Sequence, residues 1–165
     1  MKLILIYLFL STPIFLFGQN RVMNGDFEEF KKCPKKLTGK KLFLKGGMDL
    51  VKGTPDYFNY CSTVLSGSVN PYGYQISQTG NGHMGLILTS DFKNECASRE
   101  YIQLQLTEPL IKGHKYELSF FLSLANNSGY ATDQIGAIFS THSLKKQGVS
   151  KYIGHPQITN EENHF

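Results

Sequence analysis

The residues best suited to chemistry cluster in one short stretch, Thr54-Pro55-Asp56-Tyr57-Phe58-Asn59-Tyr60-Cys61, with Pro71-Tyr72-Gly73-Tyr74-Gln75 close behind. Asp56, Tyr57, Phe58, Asn59, Tyr60, Tyr72 and Tyr74 combine flat rings with a carboxylate and an amide. That mixture suits sugar: rings stack on the apolar face of a pyranose while polar groups fix its hydroxyls. The competing reading is an aromatic plug that supports a long loop from beneath. The chain contains no Trp.

Catalytic patterns are scarce. The histidines, His83, His114, His142, His155 and His164, are scattered and show no H-E-x-x-H spacing, the arrangement that places two zinc ligands on one helix face. No C-x-x-C occurs, which argues against a zinc ribbon or a dithiol redox site. Ser66-Gly67-Ser68 does not supply the G-x-S-x-G turn of a serine hydrolase. Asp56, Glu95, Glu100 and Asp133 are available as carboxylates, but nothing in the sequence selects a facing pair of the kind a glycosidase needs. Gly80-Asn81-Gly82-His83-Met84-Gly85 matches G-x-G-x-x-G. A phosphate cradle requires a helix after it, whereas Leu86-Ile87-Leu88-Thr89 is strand-like and Asn-Gly signals a hairpin. The sequence therefore points away from an enzyme.

The elements that position these residues read as strands. Alternation of period two is clearest over 114–124, where Tyr116, Leu118, Phe120, Leu122 and Leu124 oppose Glu117, Ser119, Phe121 and Ser123. It recurs over 99–106, and a connection punctuated by Pro109 and Gly113 joins the two. Further strands are expected over 21–28, 72–77, 83–89 and 133–141, with 31–71 as long loops. Many short strands split by Gly, Asn and Pro predict an all-β chain, an antiparallel β-sandwich of jelly-roll type. Residues 154–165 show no closing strand pattern. About five to six strands are visible against roughly eight in a jelly roll, so the domain is expected to be incomplete at its C-terminal end.

The first residues carry an address. Lys2 precedes an apolar run broken by Pro13 and ended by Gly18. One positive charge, an apolar core and a small terminal residue predict a signal peptide over 1–18, with the jelly-roll domain over 19–165. The run is too short, and too interrupted, for a membrane span, so none is expected in the mature chain. Removing 18 of 165 residues leaves 147, enough to bury a true core. Export permits disulfides. Of Cys33, Cys61 and Cys96, the first two lie in Pro- and Asn-rich loop sequence, and Cys33–Cys61 is the expected bridge; the alternative is three free thiols. The formal net charge of +4 is concentrated in Lys31, Lys32, Lys35, Lys36, Lys40, Lys41 and Lys45. These lysines lack the interleaved Arg and aromatics of a nucleic-acid platform. They read as a solvated loop, or else as a patch for an acidic glycan or headgroup.

Val22-Met23-Asn24-Gly25-Asp26-Phe27-Glu28-Glu29 resembles the N-G-x-F-E opening strand of galactose-binding-like jelly-roll carbohydrate-binding modules. Together with 24–34, 53–61, 99–110 and 123–140, it is similar to the N-terminal domain of secreted Bacteroidota surface proteins, which often continue into an OmpA-type or C-terminal sorting domain. The likeness spans roughly 20–160 and departs over 35–52, where relatives tend to carry a Trp and this chain carries lysines. It implies an exported, extracellular or outer-membrane-associated jelly roll. It also implies a structural calcium held in part by Glu28, a role that suits a hard oxygen-seeking cation. The resulting expectation is a non-catalytic binding module for a glycan or cell-envelope component. The alternatives are a purely structural N-terminal domain of an OmpA-type protein and, more remotely, a glycoside hydrolase-associated domain.

Overall fold

A computed structural model of the chain describes residues 18–35, 37, 44–49, 55–63, 67–88, 100–132, 135–144 and 155–159. The expected signal peptide over 1–18, apart from Gly18, lies outside them, as do Glu95, Cys96, Asp133, His164, Lys36, Lys40 and Lys41. Among the described residues there is no helix, and hence none long and apolar enough to cross a membrane.

The elements are β1 (Gly47–Asp49), β2 (Asp56–Asn59), β3 (Val69–Asn70), β4 (Gly73–Tyr74), β5 (Gly82–Gly85), β6 (Ile102–Leu104), β7 (Gly136–Ala137) and β8 (Ile158–Thr159). They form antiparallel pairs: β1 with β6, β2 with β5, β3 with β4 and β7 with β8. The all-β, antiparallel character expected from the sequence is present. The ladders are shorter than the alternation predicted.

Several elements differ from the sequence expectation. The expected strand over 21–28 is mostly turn, with a single β-bridge, Val22↔Leu106. Asn24 and Phe27 take left-handed backbone, φ 53° and 61°, and Asn tolerates that region better than most residues. The Asn24 side chain closes the loop, its Oδ1 accepting from Glu29 N and its Nδ2 donating to Glu29 O and Lys45 O. Second, strands occur where loops were expected, since β1, β2 and β3 all fall within 31–71. Third, Ile158–Thr159 pairs with β7 although 154–165 showed no strand pattern. Gln157 extends that pair, its backbone N donating to Ala137 O and its side chain bonding both ways with Phe139.

The core centres on β2, whose four residues are all buried. Its two faces do different things, as strand geometry requires. Tyr57 and Asn59 face the opening segment: Tyr57 Oη donates to Phe27 O at 2.8 Å, Asn59 Nδ2 donates to Tyr57 Oη, and the Tyr57 ring lies 5.9 Å from that of Phe30. Asp56 and Phe58 face Tyr72 and His83. Beside β2 the Cys33–Cys61 disulfide is formed, with Cα atoms 5.9 Å apart, next to buried Pro34. The expected pairing is therefore present.

Candidate functional site

The register of β2 and β5 builds the site. Phe58 lies opposite His83, and their rings stack with centroids 5.1 Å apart. Gly85 sits opposite Asp56, and a Cβ there would come within 2.7 Å of the Phe58 ring. Gly82 must likewise lack a side chain, because a Cβ would lie 2.6 Å from Phe27 O and 3.0 Å from Tyr57 Oη. At Gly80, φ is +62° and a side chain would strike the Glu28 carboxylate. The glycines of the G-x-G-x-x-G stretch thus serve close packing of backbone and rings, with a strand where a phosphate site needs a helix.

Around this centre the polar groups are connected. His83 Nδ1 is 3.0 Å from Ser77 Oγ, and Ser77 N donates to Tyr60 Oη at 3.3 Å. Burial lowers the His83 pKa below its ordinary 6.5, since a low-dielectric setting disfavours the imidazolium. On the other flank the Tyr72 ring meets Phe58 edge-on at 6.3 Å, and its hydroxyl donates to Asp56 Oδ2 at 3.3 Å. Burial, then the Asp56 carboxylate, and then Glu100, raise the Tyr72 pKa. Glu100 is itself buried and clasps the chain after β5: its N donates to Ile87 O and its Oε2 accepts from Ile87 N, each at 2.8 Å. Tyr57, the most deeply buried ring, is pushed up to about 12, chiefly by desolvation.

The seven sequence-predicted residues therefore divide. Asp56, Tyr57, Phe58 and Asn59 form the buried frame, while Tyr60, Tyr72 and Tyr74 present ring surface to solvent, Tyr74 most of all at 56 % exposure. Tyr74 is held through its backbone, its N donating to Asn126 Oδ1 at 2.9 Å. Sequence reasoning missed His83, Ser77 and Glu100. Only the nonlocal pairing of β2 with β5 brings the first two into the cluster. A Glu at the head of a strand-patterned run gave a faint signal for the third.

Glu28 lies on the Tyr57 side of β2, where its charge adds to the rise in the Tyr57 pKa. Its Oε1 accepts from Asn81 N at 2.6 Å and Gly82 N at 2.7 Å, which pins the opening segment to the start of β5. Among the described residues, no group of three or more His, Cys, Asp or Glu side chains converges to hold a metal ion. In comparison with known proteins, the chain matches no family model, no curated protein and no solved structure.

Proposed function

We propose that this chain is an exported, non-catalytic β-sandwich module that binds a glycan of the cell envelope through Tyr60, Tyr72 and Tyr74. The observation that carries this reading is the seating of exposed rings on a buried frame: Tyr72 on Phe58 and Asp56, and Tyr60 on Ser77, which itself meets His83. Rings held in this way lose little entropy when a sugar face settles on them. The neighbouring amides fix the loops around the rings, Gln75 bonding to Leu124 O and Ser123 Oγ and Asn127 to Pro71 O. A structural calcium with Glu28 among its ligands belongs to the same reading, with Glu28 Oε1 already engaged by two amides.

A glycan array that includes peptidoglycan fragments tests the proposal. The mature chain is expected to give a signal that Tyr72→Ala and Tyr74→Ala each reduce at least tenfold. No signal from the unaltered chain, or equal signals from all three proteins, overturns it. The burial of Asp56, Tyr57, Phe58 and Asn59 favours a second reading, a purely structural domain of a longer envelope protein; an empty array together with a lower melting temperature for Tyr72→Ala would be its result.

A further inference from the structure

The segment with the strongest strand pattern, 114–124, makes no ladder. Its ends are tethered. Tyr116 Oη accepts from Ile111 N, and the Arg21 guanidinium lies 5.8 Å above the Tyr116 ring. At the other end Ser123 Oγ donates to Gln75 Oε1, and Leu124 O accepts from Gln75 Nε2. Between these anchors the backbone of 115–123 makes no hydrogen bond to any described residue. The side chains are exposed on both sides, with Phe120 at 54 % and Phe121 at 77 %. An open row of backbone donors and acceptors flanked by large apolar side chains is a template for strand pairing.

We propose that this segment pairs antiparallel with the same segment of a second copy, across a two-fold axis at Phe120. Parity and charge select that register. Residues directly opposite in a ladder share a face, and a one-residue slip moves a whole side-chain set to the other face. Centring on Phe120 sets Tyr116 against Leu124, Leu118 against Leu122 and Phe120 against its own copy, so all five apolar positions meet apolar partners. Glu117 meets Ser123 and Lys115 meets Ala125. A parallel in-register pair would instead set Lys115 against Lys115 and Glu117 against Glu117, which is repulsive. Because Gln75 holds Leu124 O, the ladder uses the opposite edge, formed by Glu117, Ser119, Phe121 and Ser123. The contact is isologous and closes at two copies. Anchoring at both ends reduces the ordering that association requires.

The two-fold makes a specific demand: residue 120 faces itself. The experiment measures molar mass by light scattering over a dilution series, using the mature chain with Cys96→Ser so that no intermolecular disulfide contributes. The parent is expected to approach twice the protomer mass at the concentrated end. Phe120→Lys and Phe120→Glu, each alone, oppose like charges across the axis and run as monomers. Mixed in equal amounts, they are expected to recover the dimer. The proposal is overturned by a parent that stays monomeric, by a mass that grows past two copies, by either charged variant dimerising alone, or by a mixture that stays monomeric. Phe120 is exposed, so these substitutions leave the buried frame untouched.

Discussion

Glu28 gives the sharpest test of how the opening segment is held. One carboxylate oxygen accepts two backbone N–H bonds at 2.6 and 2.7 Å, from residues more than fifty positions away. Hydrogen bonds to a charged group contribute roughly 1.5–3 kcal/mol each, against about 0.5–1.5 for neutral ones. Asn81 is exposed and its amide regains water when the carboxylate is lost, so the pair is worth less than the sum. Glu28→Ala is therefore expected to cost about 2–3 kcal/mol, and Glu28→Gln, which keeps an oxygen of similar shape, about 1 kcal/mol. At roughly 2–4 °C per kcal/mol for a domain of this size, the alanine variant melts about 5–10 °C lower. Thermal unfolding followed by circular dichroism reads both. An alanine variant melting within about 1 °C of the parent refutes the clamp. The same melts, repeated with calcium and with a chelator, separate the clamp from an ion site. Chelation leaves a pure clamp unmoved, whereas a calcium-dependent rise that Glu28→Gln abolishes places an ion on this carboxylate.

Two further outcomes follow from the frame. Replacing both Cys33 and Cys61 with Ser opens a loop of sequence separation 28 and is expected to lower the denaturation free energy by about 3–4 kcal/mol in urea titrations; an unchanged midpoint would show that the bridge constrains nothing. His83 sets an acid limit. Its imidazole titrates near 6.5 in the unfolded chain and lower in the folded one. The unfolded state then binds more protons below that pH. Stability accordingly falls as pH drops through the window, by at most about 1.4 kcal/mol per pH unit. His83→Gln should flatten this slope between pH 7 and 5 in denaturant midpoints, and an equal slope in the variant would locate the acid sensitivity elsewhere.

The fold was legible where information is local and illegible where it is not. Antiparallel β structure and the Cys33–Cys61 bridge could be read from residue types alone, whereas the hairpin signal of Asn81-Gly82 misled, since β5 pairs with the distant β2. Strand β2 could not. Period-two reading looks for one wet face, and Asp56-Tyr57-Phe58-Asn59 has none: its polar members are satisfied inside, Asp56 by Tyr72 and Asn59 by Tyr57 and the Cys61 amide. Segment 114–124 failed in the opposite sense. Its alternation describes what a strand would present, but a strand also needs a neighbour, and sequence periodicity carries no term for that. At 21–28 the turn chemistry of Asn24-Gly25-Asp26 outweighed the β propensity of Val22 and Phe27.

The tyrosine surface was half legible for the same reason. Residue type located the right stretch, yet a strand's alternation decides which rings reach water, and β2 spends both of its faces on the interior. Tyr57 and Asn59 lock the opening segment, while Asp56 and Phe58 hold up Tyr72 and His83. The exposed rings thus depend on groups that never meet solvent. Removing the Tyr57 hydroxyl would leave Phe27 O and Asn59 Nδ2 without their buried partner on the face opposite Tyr72. Any such change reaches the surface only by shifting the β2 backbone, so binding and stability should fall together when β2 is altered and separately when Tyr74 is.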